Sequence, residues 1–431
     1  MPRRGLAQVL LDAPGQLPGV VGPGLGVGDL ADVLAELVAL EPAAARARAV
    51  TVTRSGPSAA IVTPAVLEPT ACVRLFPTEA ETAPPMAGWP TELREAVGGH
   101  VYSCAGGHTF DGRPSRGVDG AELDRVARRL RAGGIGAAAI TAVFSPVNNA
   151  DEIAAAARLA LGVPGLRVSL SHEIGTIGLF ERENATILNA ALGALAERTA
   201  IATTAQVAAA IPGARVYLAQ NDGTAVEMTF GRRYPVLTLW SGQACSIHGA
   251  AVLSGHPDCV VVTVDERGGT VGVAQRGLAR QTPYDTVAAG IPVSLRRAET
   301  VPVAAPEDAA ALDRAVRAVD PGRSLPVVLV GPQVRRVPER FEAIRLAYGT
   351  VAAAVGAART RIGGVVDRIV SGDAGARAAA TREAESLARQ RAVLAGALDS
   401  SVHVVETEEL PVGYLPGDVV RLRVQAIGGL D

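Results

Sequence analysis

The chain contains no lysine: all 41 residues in the lysine-plus-arginine count are arginine. A Schiff-base lysine and a P-loop lysine are thereby excluded on composition alone. Cysteine is scarce as well, with Cys72, Cys104, Cys245 and Cys259 the only four in 431 residues and no CxxC spacing that would make a zinc site or a redox pair. Lying among apolar neighbours, Cys72 and Cys259 read as small core residues. With no disulfide framework, a reduced, cytoplasmic setting is expected. Excess charge is also missing. The formal net charge of −2, with the signs interspersed, argues against nucleic acid or an anionic membrane as partner. No uninterrupted apolar run is long enough to span a bilayer, and nothing resembles a signal peptide.

What is present is enough chain for two core-bearing domains and a small appendage. Helical patterns near residues 120–132 and 151–161 alternate with short apolar runs near 137–144 and 168–170, the rhythm of an α/β protein. Residues 183–211 read as one or two Ala-rich helices. Strands follow near 216–220 and 236–240, then a helix over 243–253, a buried strand over 259–264 and another over 325–330. The tail differs in character: a helical Arg/Glu/Ala stretch over 374–397 precedes two β-segments within 402–427, joined by a turn at Pro416-Gly417-Asp418. The expected divisions are 1–170, 171–360 and 361–431.

The densest chemistry lies in residues 167–192, RVSLSHEIGTIGLFERENATILNAAL, where six ionisable side chains stand between an apolar strand and a helix. His172 and Glu173 emerge where the strand gives way to a Gly-broken loop, and read either as a general base with its orienting carboxylate or as a satisfied strand-end hydrogen-bonder. Glu181, Arg182, Glu183 and Asn184 sit at a helix start and read as substrate clamps or as an ion-paired structural node. Asn221-Asp222-Gly223-Thr224 is a competent turn that also presents an amide and a carboxylate. Ser241-Gly242 opens a helix that continues through His248, so Ser241 reads as an N-cap or as part of an anion site. Asn189 is a further polar candidate, and His108, near Asp111 and Arg113, reads as ordering a Gly-rich loop.

The SHEIG…EREN…LNA pattern closely resembles the signature of the hydantoinase A and 5-oxoprolinase family, in its short bacterial branch. WPTELREAVGGHVYSCAGGHTFDGR and AITAVFSPVNNADE upstream resemble family segments too, as do VYLAQNDGT, PVLTLWSGQACSIHGAAVLSG, VVLVG and VETEELPVGYLPGDVVRLRVQAIG downstream. The resemblance implies the fold of actin, the heat-shock chaperones and the sugar kinases, two α/β domains with ATP in the cleft between them. It also implies hydrolysis of a cyclic amide, hydantoin-like or lactam-like. In such ATP-dependent enzymes phosphorylation of the amide oxygen lets water open the ring. Assembly as a homo-oligomer, or with a hydantoinase B type subunit, is implied as well.

The phosphate-handling loops depart from that pattern together. The family's D-V-G-G-T-x-T-D loop is missing from the start, MPRRGLAQVLLDA, so the first domain reads as truncated at its first phosphate hairpin. TVTRSGPSAAIV stands where relatives carry G-T-T-H-x-x-N-A. The second loop survives in part as VTVDERGGTVGVAQRG. There Glu266 aligns with the family's Asp, Asp265 lies one residue early on the opposite face, and Gly268, Gly269 and Thr270 are what is left of an anion cradle. The later glycine-rich loop and the helix asparagine expected within 348–358 are absent. Mg-ATP is thus the family cofactor with its loops degraded, and no metal site is assigned. The expectation is a cyclic-amide hydrolase with an eroded nucleotide site, or a non-catalytic paralogue that pairs with an active hydantoinase A or B type partner.

Overall fold

A computed structural model describes residues 9–11, 34, 48–53, 62–76, 83–175, 178–282, 286–413 and 418–430. Their strands form sheets of seven, six, four and two strands. The four-stranded sheet is wholly parallel, in the order Val101–Ala105, Thr70–Phe76, Ala137–Ala142, Arg167–Leu170. Alternation along Thr70–Phe76 divides its side chains between two cores. Ala71, Val73 and Leu75 meet helices Gly120–Gly133 and Ala150–Gly162 on one face, while Cys72 meets helix Leu179–Ala191 on the other. Leu75, Leu123, Leu130, Ile140 and Leu159 are fully buried in the first core. Each such side chain contributes roughly 1.5–3 kcal/mol. Both faces of the sheet are covered, so its open ends are what remain for a ligand.

The seven-stranded sheet gathers strands from far apart in the chain, in the order Val9–Leu11, Ala49–Val52, Arg215–Ala219, Ala225–Glu227, Ile362–Ser371, Val419–Gly428, His403–Pro411. Leu422, Val424 and Ala426 pack on helix Ala374–Leu394, which lies so close that a Cβ on Gly364 would stand 2.3 Å from the Ala388 carbonyl oxygen. In the six-stranded sheet Cys259–Asp265 pairs antiparallel with Gly268–Gln275, which also carries Leu278–Ala279 and Thr300–Val303. On its other side Cys259–Asp265 runs parallel to Val327–Val330, and that strand to Ile344–Arg345. Thr286–Ala288 and Ile291–Val293 make the two-stranded sheet. Helices Ser241–Ser254 and Ala352–Ala358 touch backbone to backbone, because a Cβ on Gly249 would lie 1.8 Å from the Ala352 oxygen and one on Gly356 1.9 Å from that of Cys245. Small residues within 348–358 thus serve packing. No helix among the described residues is long and apolar enough to cross a membrane.

Most expected elements are found within a few residues of their expected ends, and two are not. Residues 236–240, an apolar run expected as a strand, form the 3-10 turn Pro235–Thr238. Pro235 has no N–H to give a ladder, and the Leu237 N–H turns back to the Tyr234 carbonyl. After the Arg167–Leu170 strand the chain makes one helical turn, Ser171–Ile174, where a loop was expected. Residues 1–8, 12 and 13 of the opening segment, 54–61 of TVTRSGPSAAIV, and Pro416 and Gly417 of the expected tail turn lie outside the described residues.

Candidate active site

The carboxyl ends of parallel strands are the usual ligand edge of an open α/β sheet. Here that edge is occupied by the chain's own carboxylates. Glu122, in the first turn of helix Gly120–Gly133, accepts the N–H of Ala105, the last residue of its strand, at 2.8 Å. Glu152, in the first turn of Ala150–Gly162, accepts that of Ala142, likewise the last of its strand, at 2.8 Å. Asp151 accepts the Gly107 N–H at 2.7 Å.

Glu152 does more. Its Oε1 also accepts from the Ser171 hydroxyl at 2.5 Å, and its Oε2 meets His172 twice, at the backbone N–H (3.1 Å) and at Nδ1 (2.7 Å). Burial alone would raise the Glu152 carboxyl. Hydrogen bonds from His172 and Ser171 and the charge of Arg182 outweigh that and hold it below the ordinary range. The ionised carboxylate only accepts, so His172 carries its proton on Nδ1. The His172 side chain is 11 % exposed, whereas that of Glu152 is wholly enclosed.

The proton directions follow. Ser171 has one hydroxyl proton and gives it to Glu152, so it accepts from Arg182 Nε at 2.9 Å and from the Ser145 hydroxyl at 3.0 Å. Both serine protons are committed away from His172. Arg182 is fully buried and also donates from Nη2 to the Ala142 carbonyl at 2.8 Å. Burial pulls its guanidinium down to about 10, against the opposing charges of Glu152, Glu183 and Glu181.

Glu173, expected as the partner of His172, is not. Its carboxylate acts instead on the ionisation of Tyr234 and Arg391. Neighbours on a helical turn point about 100° apart, so the adjacent residue is badly placed and one 20 positions upstream is well placed. Burial, then the charge of Glu173, push Tyr234 up to about 12. The acidic first turn of 150–162 was the sequence signal for Glu152.

The EREN residues turn inward. Glu183 forms a two-bond pair with Arg74, at 2.8 and 2.5 Å, with both side chains buried. Asn184 accepts from Trp89 Nε1 at 2.8 Å and donates to the Pro292 carbonyl. Asn189 bonds Ser169 and the Arg233 carbonyl. None of Arg182, Glu183 and Asn184 extends into solvent.

The remaining candidates are dispersed. Asn221 donates to the Val236 carbonyl and accepts the Trp240 N–H, fixing the entry to helix Ser241–Ser254. Ser241 is the first helical residue, one past the cap position held by Trp240, and its hydroxyl accepts from Thr53. Asp222 closes its turn on Thr224, with Gly223 at φ +83 supplying the left-handed backbone. His248 lies between the Gly277 and Arg359 carbonyls. In the remnant phosphate loop, Asp265 Oδ1 accepts from the N–H groups of Arg267 and Gly268, so the turn closes on itself. Glu266 is exposed, Gly268 abuts the Val303 carbonyl, and Gly269 and Thr270 are paired on both sides in the sheet. His108 is buried with Nδ1 3.9 Å from Asp151, and Asp111 instead pairs with Arg113. The four thiols are free and buried. Burial pushes Cys104 and Cys259 up to about 11, Cys245 to about 12 and Cys72 higher still, so none is a thiolate nucleophile at neutral pH.

The crystal structure of an ATP-dependent caprolactamase from Pseudomonas jessenii is similar to this chain with a TM-score of 0.72, over 99% of this chain and 87% of that one, at 12% sequence identity. A nucleotide-free structure of acetone carboxylase, from work on ATP-dependent acetone carboxylation, gives 0.67 over 99% and 88% at 11% identity. At these identities the likeness is one of fold: a mixed α/β chain of several sheets. No curated protein matches the chain. Residues 86–160, which hold Glu122, Ser145 and Glu152, match the hydantoinase/oxoprolinase N-terminal region. The chain thus carries a segment that matches this N-terminal region, within a fold it shares with the caprolactamase and the carboxylase.

Proposed function

We propose that this protein hydrolyses a cyclic amide, hydantoin-like or lactam-like, with His172 as general base. The observation that carries this reading is the 2.7 Å contact from His172 Nδ1 to a buried, ionised Glu152. It fixes the ring and leaves Nε2 as the working atom. Because both neighbouring serine protons are committed, the nucleophile is water. Nε2 takes its proton as the water oxygen bonds to the ring carbonyl carbon. The C–N bond then breaks, and the proton passes from His172 to the departing nitrogen.

We read the six-stranded sheet, with antiparallel strands on one side of Cys259–Asp265 and parallel ones on the other, as one half of a two-domain actin-like frame. The Asp265–Gly268 turn does not fit a metal triphosphate. Its amides are bound by Asp265, and a sheet strand lies against Gly268. No step is therefore routed through nucleotide. The test is ring opening of hydantoin, 2-pyrrolidone and caprolactam, with and without Mg-ATP. Turnover without ATP, reduced roughly 10²–10⁴-fold in His172→Gln, is expected. An unaltered rate in that variant would sink the mechanism.

A second reading, a non-catalytic subunit for a hydantoinase A or B type partner, draws on the inward-bound Arg182, Glu183 and Asn184. It predicts no turnover alone and turnover restored to an inactive partner on mixing.

A further inference from the structure

Strand Ile362–Ser371 pairs along its whole length with Val419–Gly428, but its other side meets Ala225–Glu227 only at Ile362. Beyond that point the edge is unpaired among the described strands. Antiparallel pairing turns the N–H and C=O of alternate residues to the same side, and two groups show which residues face outward. The Ile369 N–H donates to the Pro146 carbonyl at 3.3 Å, and the Val365 carbonyl accepts from Arg391 Nη1 at 2.6 Å. Asp367 lies midway, in phase with both. No hydrogen bond from another element reaches its N–H or C=O among the described residues. Its carboxylate is held by Arg421 on the face of the sheet, clear of the edge.

Both flanks of this gap lead to the candidate active site. Pro146 follows Ser145, whose hydroxyl bonds Ser171, and Arg391 lies near Glu173, the neighbour of His172. Phe110 and Val147 pack on Ile369 from the loops of the four-stranded sheet. The two occupied groups are four residues apart, roughly 13 Å of strand, with one residue's donor and acceptor between them.

We propose that Asp367 is the amide-recognition element of this site. Its N–H donates to the ring carbonyl of the substrate, and its C=O accepts the ring N–H. This rests on reading the site as one for amide hydrolysis, and it specifies the substrate as a secondary cis amide. A strand from another chain needs a run of free edge groups, whereas here Pro146 and Arg391 close the gap on either side of a single residue. The N–H and C=O of an open-chain amide are trans and point in opposite directions. Within a small ring they lie on one side, as pairing with one extended residue requires.

The test is calorimetric titration with hydantoin and with 1,3-dimethylhydantoin, which has no N–H, on wild type, Asp367→Ala, Asp367→Pro and His172→Gln. Both Asp367 variants lose the carboxylate, but only proline also removes the edge N–H. Hydantoin is expected to bind wild type, His172→Gln and Asp367→Ala, and about tenfold more weakly to Asp367→Pro, which corresponds to about 1.4 kcal/mol. The dimethyl compound should bind wild type at least tenfold more weakly than hydantoin. Equal binding of the two ligands, no binding of hydantoin to wild type, or equal affinities for the two Asp367 variants would overturn the assignment. Should Asp367→Pro not fold, the comparison of ligands decides alone. Turnover without this binding pattern removes the recognition element and keeps the catalytic reading. The pattern without turnover does the reverse.

Discussion

Glu122 and Glu152 occupy equivalent positions in one sheet, yet their surroundings make them different groups. Each stands in the first turn of a helix and accepts the last N–H of a parallel strand. Glu122 is partly exposed, with Arg125 3.9 Å away. Glu152 is enclosed and collects Ser171, His172 and the charge of Arg182 as well. The same backbone task therefore yields a local cap in one case and a charged hub in the other. What separates them is the strand Arg167–Leu170, which delivers the Ser171–Ile174 turn beside Glu152.

The sharpest way to break the comparison is to remove both side chains in turn. Glu152→Ala leaves Arg182 buried beside one carboxylate fewer and strips partners from Ser171 and two backbone amides. A loss of about 3–5 kcal/mol in urea unfolding is expected, the scale for breaking a buried charge pair. Glu122→Ala, removing one part-exposed bond, should lose about 1 kcal/mol.

Acid provides a second contrast. Folding holds the Glu152 carboxyl below its ordinary value of 4.5, so its contribution is complete above that pH and is lost as pH falls through the lowered folded value. The stability gap between wild type and Glu152→Gln should accordingly narrow from pH 6 to pH 3, followed by thermal unfolding. A gap that stays constant over that range would show that the charge of Glu152 is not what stabilises. The smallest effect is expected at Glu266, the exposed residue of the remnant phosphate turn. Glu266→Ala should stay within about 0.5 kcal/mol of wild type and leave any lactam turnover unchanged, while Asp265→Ala, which frees two turn amides, should lose about 1 kcal/mol.

Much of this was legible before any coordinates. Apolar runs bounded by glycine and charge marked the parallel strands, because a strand buried on both faces must be apolar throughout. The same rule misread PVLTLW, where Pro235 and the Asn221 side chain, not hydrophobicity, set the local path. The polar candidates were chosen from the correct segment, but their directions were not readable. EREN at a helix start gives no sign that Glu183 ends on Arg74, 109 residues away.

The sequence by itself determined the α/β rhythm, the match to the hydantoinase/oxoprolinase N-terminal region, the absence of lysine chemistry and the placing of His172 at a strand end, since these depend on composition, periodicity and local motif. Only the tertiary structure decided that Glu152 rather than Glu173 orients His172, that the serine protons are committed, that the Asp265–Gly268 turn is closed on itself and that Asp367 leaves an edge unpaired among the described strands. Those outcomes depend on which distant elements meet and on the depth of burial where they do. Hydrogen-bond directions and charge states are set there, by contacts that no local window contains.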